Sequence, residues 1–154
     1  MIELSEFKEF SHELAIQSAG LIKQYFRTNI NVESKADSSP VTVADKKAEE
    51  IMRELIARKY PEHGIIGEEF GSVNEKAEYV WVLDPIDGTK SFICGTYSFG
   101  TLIALLKNSK PIIGVYNHPI LNDYLIGDNQ ETKINDTVTK IRECNNLSDA
   151  VLLT

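Results

Sequence analysis

Hydrophobic spacing changes once along these 154 residues, near Pro61, and no other feature narrows the possible folds as much. Before it, Phe7, Phe10, Leu14, Leu21, Tyr25 and Phe26 recur at helical spacing, with Ser5 placed to cap the helix and Glu6 in its first turn. Asn31 to Pro40 interrupt the pattern, and Asp37-Ser38-Ser39-Pro40 has turn chemistry. Thr42-Val43-Ala44-Asp45 has the form of a capping box, in which cap hydroxyl and carboxylate each satisfy an end-of-helix N–H. Ala44, Ala48, Ile51, Met52, Leu55 and Ile56 give this second helix one apolar face, and Pro61 stops it. From residue 64 on, Ile65-Ile66, Tyr79 to Leu83, Tyr97 to Leu106, Pro111 to Tyr116 and Tyr124 to Ile126 read as strands. Asn108-Ser109, Asn122-Asp123 and Gly127-Asp128 read as turns, and the short connections predict antiparallel hairpins. The expected class is α+β, with two long N-terminal helices packed on a predominantly antiparallel sheet in a single domain over residues 1–154.

Composition closes off other classes. With 16 Lys and Arg against 23 Asp and Glu, a net charge of -7, the chain lacks the clustered cations of a nucleic-acid binder. The N-terminal MIELSEFKEF has neither basic flank nor apolar signal core, and the apolar runs are too short to span a bilayer, so no membrane association is expected. Cys94 and Cys144 form no metal or redox motif, which fits reduced thiols in a cytoplasmic protein.

The chemistry concentrates in Trp81-Val82-Leu83-Asp84-Pro85-Ile86-Asp87-Gly88-Thr89. An apolar strand delivers two carboxylates to its C-terminal end; Pro85 fixes the backbone after the first and Gly88 permits a tight turn after the second. Such a turn can aim Asp84, Asp87 and the Ile86 carbonyl at one point, hard oxygens of the kind Mg²⁺ takes at about 2.1 Å. A short helix from Gly88 to Phe92 would offer N–H groups to a phosphate. Gly67-Glu68-Glu69-Phe70-Gly71 is a second acid-bearing strand end, although a Glu pair alone is ordinarily a solvated loop. Capping accounts for Asp45, whose alternative role is to orient a hydroxyl such as that of Thr89. His12, His63 and His118 pair with no Ser or Cys and read as surface residues, and Lys35 as a solvated cation or a charge on a lid.

Ser39-Pro40-Val41-Thr42-Val43-Ala44-Asp45, Gly67-Glu68-Glu69 and Asp84-Pro85-Ile86-Asp87-Gly88-Thr89 occur in the order seen in the inositol monophosphatase family, Mg²⁺-dependent and lithium-sensitive phosphomonoesterases, which the chain resembles. Its wording is most similar to the histidinol-phosphatase branch, in residues 35–42, His63 to Gly71 and Phe99 to Leu105. The resemblance implies a first Mg²⁺ held by Glu68, Asp84 and the Ile86 carbonyl, and a second shared by Asp84 and Asp87, among two or three ions in the family. It implies water activation by Glu68 and by Thr89 backed by Asp45, with Asp87, Gly88 and Thr89 at the substrate phosphate. Two metals about 3.5–4 Å apart can clamp the attacking and leaving oxygens of an in-line displacement.

One family motif is missing: a Trp-Asp segment whose Asp completes the second metal site, since the only Trp is Trp81. With the apolar ending Ala150-Val151-Leu152-Leu153-Thr154, this leads to the expectation of the N-terminal half of the αβαβα sugar-phosphatase fold, its C-terminal αβ domain absent. The first metal site would be complete and the second short of one Asp, which would cost about 3 kcal/mol and about a hundredfold in rate, so weak or no phosphatase activity is expected of this chain. The expected substrate is a small phosphorylated metabolite, histidinol phosphate or inositol monophosphate, and the expected assembly a homodimer. The competing reading is a non-catalytic module that binds a metal or a protein partner.

Overall fold

A computed structural model describes residues 4–34 and 40–151; Lys35, the turn expected at Asp37 to Ser39 and the last three residues lie outside the described residues. Helix α1 (Leu4–Tyr25) buries Phe7, Phe10, Leu14, Ala15 and Ile22 at three- and four-residue spacing. Ser11 and Ser18 share that buried face, and their hydroxyls donate to the carbonyls of Phe7 at 2.8 Å and Leu14 at 2.9 Å, which offsets their desolvation.

The chain then passes through a small pair, β1 (Val32–Ser34) and β2 (Pro40–Thr42), into helix α2 (Val43–Lys59). The capping box is formed: the Thr42 N–H donates to Asp45 Oδ2 at 2.8 Å, and the Ala44 N–H donates to the Thr42 hydroxyl at 3.1 Å. At the other end the Tyr60 N–H closes on Ile56 O at 2.7 Å, and Pro61 prevents continuation.

The main sheet contains β3 (Gly64–Gly67), β4 (Gly71–Val73), β5 (Tyr79–Asp87), β6 (Gly100–Lys107), β7 (Lys110–His118), β8 (Asp123–Asp128), β9 (Thr132–Ile134) and β10 (Thr137–Val138). Their order across the sheet is β10-β9-β8-β7-β6-β5-β3-β4. The turn at Asn108-Ser109 has φ of 49° and 64°, the left-handed pair that closes a two-residue hairpin between β6 and β7. Gly127 and Asp128 belong to the end of β8 rather than to a turn; the Asp128 carboxylate instead accepts the N–H groups of Gln130 and Glu131, forming the turn just beyond.

One pair departs from the antiparallel pattern: β3 and β5 run parallel, with Gly67 opposite Leu83. Strand β4 has already carried the chain back to the starting end of β3, so no long crossover is needed. Helix α2 lies against β5 and α1 against β6 and β7. Phe7, Phe10, Leu14, Met52 and Ile56 pack there on Trp81, Leu83, Ile103, Leu105 and Val115. A second cluster, with Ile22, Ala48, Ile86, Phe92 and Phe99, lies at the end of the sheet where the acids gather. No helix among the described residues is long and apolar enough to cross a membrane.

Candidate active site

Parallel pairing of β3 with β5 sets the site. Because Gly67 faces Leu83 in register, Glu68, the first residue past β3, stands beside Asp84, which is still within β5, and the Glu68 N–H donates to Leu83 O at 3.2 Å. Strand β5 then carries an irregularity. Asp84 pairs with Leu102 and Asp87 with Gly100, so Pro85 and Ile86 together face the single residue Thr101. Pro85 has no N–H for the ladder, and its carbonyl is taken by the Thr101 hydroxyl at 2.8 Å. In an unbroken strand, residues three apart point to opposite faces; the extra residue resets that alternation and leaves Asp87 within electrostatic reach of Asp84.

After Asp87, Gly88 turns the chain into the short helix α3 (Thr89–Ile93) at φ 88°, and a Cβ there would stand 2.6 Å from Ser98 O. The turn places the Thr89 hydroxyl 3.1 Å from the Ile86 carbonyl and 3.3 Å from Asp45 Oδ1, two acceptors for one proton. Asp45 is 1% exposed; burial pushes its carboxyl up, against the hydrogen bonds from Thr42 and Thr89 that favour the ionised form. Asp84 is pushed up to about 8, first by burial, then by the hydrogen bond and charge of Glu68, then by the charges of Asp87 and Asp45. Its Oδ1 is buried and accepts no hydrogen bond from the described residues.

Glu68, Asp84, Asp87, Asp45, Thr89 and the Ile86 carbonyl therefore converge on one end of the sheet, with Gly88 forming the turn between them. Among the described residues no group of three or more His, Cys, Asp or Glu is gathered tightly enough to hold a metal ion. The donor chemistry nevertheless fits a hard divalent cation: several carboxylates crowd a carboxyl whose buried oxygen lacks a partner, beside a backbone carbonyl.

Of the three histidines, His12 is exposed as expected, His63 is half-buried in a stack of rings, and His118 is buried instead of lying at the surface. His118 is 3% exposed, with Nε2 2.7 Å from Tyr97 O and Nδ1 accepting the Leu121 N–H. His63 stacks on Tyr60 and Tyr79 and takes the Trp81 indole N–H on Nδ1 at 3.1 Å; His12 stands edge-on to Tyr124.

Sequence patterns did not point to Glu49. Its side chain is fully buried on α2, accepting the N–H of Glu69 at 2.7 Å and of Phe70 at 3.2 Å while pairing with Arg53 at 2.7 Å. The available signal was its place on the stripe Asp45, Ala48, Glu49, Met52, where a charged residue falls on an otherwise apolar face with a cation four residues on.

Comparison with known proteins agrees with this geometry. Residues 3–154 match the Inositol monophosphatase family. The chain is 49% identical over 155 residues to the chloroplastic bifunctional phosphatase IMPL2 of Arabidopsis thaliana, covering 99% of the chain and 45% of that relative. It is 43% identical over 112 residues to a histidinol-phosphatase of Chlorobaculum parvum, covering 72% of the chain and 43% of that protein. A solved inositol monophosphatase from Zymomonas mobilis superposes with a TM-score of 0.79 at 40% identity, covering 94% of the chain and 56% of its own. The chain thus spans about half the length of the relatives it matches.

Two expectations are corrected by these matches. The likeness is not that of an N-terminal half only, because the family match runs through residues 3–154, nearly the full chain. The fold class, expected as the N-terminal half of an αβαβα architecture, is corrected likewise: the family fold extends over almost the whole chain. A missing Trp-Asp segment speaks to one metal ligand and does not measure how much of a fold is present. Together the motif order, the converging acids and the matches along its length establish that the chain belongs to the inositol monophosphatase family.

Proposed function

We propose that the protein is a Mg²⁺-dependent phosphomonoesterase acting on a small phosphorylated alcohol, with histidinol phosphate and inositol monophosphate as the leading substrates. Its family is one of phosphoric monoester hydrolases associated with Mg²⁺-dependent catalysis. The observation that carries the reading is Glu68, just past the end of β3, standing beside Asp84 on the adjacent strand β5, with Asp84 Oδ1 buried and without a hydrogen-bond partner among the described residues. The names of the two relatives, a bifunctional phosphatase and a histidinol-phosphatase, support the substrate class.

Glu68, Asp84 and the Ile86 carbonyl would hold a first Mg²⁺, and Asp84 with Asp87 would contribute to a second. Bound there, the cation would supply charge neutralisation for the phosphoryl group and a water more acidic than bulk. Asp45 holds the Thr89 hydroxyl, and Glu68 would take a proton from the attacking water. Asp87, Gly88 and Thr89 would orient the phosphate, so that the chain contributes positioning and charge rather than a covalent intermediate. Self-association as a homodimer belongs to the same proposal, supported by exposed Val138 and Ile141; sedimentation at a single 17.3 kDa species would count against it.

The test is phosphate release from both substrates with and without Mg²⁺, alongside Asp84→Asn and Glu68→Gln. Mg²⁺-dependent release that falls about a hundredfold or more in each variant is the expected result. Mg²⁺ uptake with no turnover would favour the non-catalytic, metal-binding reading.

A further inference from the structure

Mg²⁺ capture by Glu68 and Asp84 requires that Glu68 be held beside Asp84. Glu68 sits in a short connection between β3 and the edge strand β4, where a loop would ordinarily be free to move. Here three successive N–H groups are tied down: that of Glu68 to Leu83 O, and those of Glu69 and Phe70 to the two carboxylate oxygens of Glu49. Arg53 completes the clamp. Its Nε binds Glu49 Oε1, a second guanidinium nitrogen donates to Gly71 O, and the group lies 5.9 Å over the Phe70 ring.

The carboxylate has a seat made for it. A Cβ on Gly67 would come within 1.9 Å of Glu49 Oε1 and 2.5 Å of an Arg53 nitrogen, so the close approach requires glycine immediately before Glu68. A fully buried carboxylate that no step of the proposed reaction uses, seated on Gly67 and spanning the next three residues, is costly unless it serves the segment it holds.

We infer that Glu49 is a positioning residue: by binding the Glu69 and Phe70 amides it fixes the Glu68 carboxylate next to Asp84 for Mg²⁺ capture. This rests on the phosphatase reading above. Glutamine at 49 keeps the shape but has one acceptor oxygen and turns an NH₂ toward an N–H or toward Arg53, so it opens the clamp without emptying the space.

The test compares wild-type chain with Glu49→Gln and, should that variant fold poorly, with Gly67→Ala, which displaces the carboxylate while keeping it. Three measurements are made: amide hydrogen exchange, Mg²⁺ affinity by calorimetry, and the split between kcat and KM. The expected result is at least tenfold faster exchange at Glu69 and Phe70 with α2 amides unchanged, Mg²⁺ affinity weakened about tenfold, lowered kcat at subsaturating Mg²⁺, and a KM within threefold of wild type. A folded variant with unchanged exchange at both amides, or with Mg²⁺ affinity within twofold of wild type, would overturn the inference. If the wild-type chain takes up no Mg²⁺, the phosphatase reading fails and Mg²⁺ capture with it; the exchange comparison then decides only whether Glu49 fixes the segment.

Discussion

Asp45 and Glu49 stand one turn apart on α2, and each holds a different part of the site: Asp45 Oδ1 lies 3.3 Å from the Thr89 hydroxyl, and Glu49 Oε2 accepts the Glu69 N–H at 2.7 Å. One turn of helix is about 5.4 Å, so a single rigid element sets the spacing between the α3 turn and the segment carrying Glu68. Both carboxylates are buried on the helix face that packs toward the sheet.

Asp45 has two jobs that substitution can separate. Asp45→Ala should cost about 1–2 kcal/mol of stability, because it opens the capping box and leaves the Thr42 N–H without its acceptor. Thr89→Val removes only the hydroxyl and should leave stability within about 1 kcal/mol. Both should slow phosphate release about a hundredfold. Urea titration beside a phosphate-release assay checks this, and a fully active Thr89→Val chain would leave Asp45 with its capping role alone.

Crowded acids should make the metal a folding partner. A saturating cation at a hundredfold excess over its Kd adds about 2.7 kcal/mol to stability, so Mg²⁺ should raise the melting temperature and chelator should reverse the rise. Asp84→Asn should abolish that response. In chelator the same variant should melt at or above the wild type, since it removes a carboxylate that burial and three neighbouring acids disfavour. Scanning calorimetry of the two chains, with and without Mg²⁺, decides both points.

His63 predicts a stability loss in mild acid. Burial lowers its proton affinity, and Nδ1 is engaged as acceptor of the Trp81 indole N–H, so the folded chain prefers the neutral ring. Below the unfolded value, about 6.5, the unfolded chain gains a proton that the folded one resists. The contribution is therefore complete above about pH 6.5 and is lost as pH falls through the lower folded value. Urea midpoints between pH 5 and 7.5 should decline in wild type and decline less in His63→Phe.

Asp128 acts in a more acidic window. Lys8, 2.5 Å away, and the N–H groups of Glu131 and Gln130 hold its carboxyl at about 2, below the ordinary carboxylate value near 3.9. Its contribution is fully present above about pH 4 and is lost as pH falls through 2. Asp128→Asn should be less stable than wild type at pH 7, and the two melting curves should converge near pH 2.

Legibility from sequence followed the range of the interactions. Thr42 and Asp45 announce their capping box because both partners lie within one turn, and Asp84-Pro85-Ile86-Asp87-Gly88-Thr89 announces a turn bearing acids for the same reason. Beyond its pairing with Arg53, Glu49 gave little away because the segment it holds, Glu69 and Phe70, is about twenty residues away and offers only backbone N–H groups, which carry no side-chain signature. His118 misled for a related cause: a buried ring satisfied by Tyr97 O and the Leu121 N–H is indistinguishable in sequence from an exposed one. The parallel pairing of β3 and β5 escaped notice because β4 is three residues long and fully exposed, without the alternation that marks a strand.

The bulge in β5 puts regularity and usefulness in opposition. Removing either Pro85 or Ile86 would let Asp84 and the following residues pair with β6 without interruption, giving a tidier ladder. The same deletion would drag Gly88 and Thr89 one place along the strand and part Thr89 from Asp45. Spacing, more than the identity of Pro85, is what descent must preserve at this point, so an apolar substitution there should be survivable where shortening by a single residue is not.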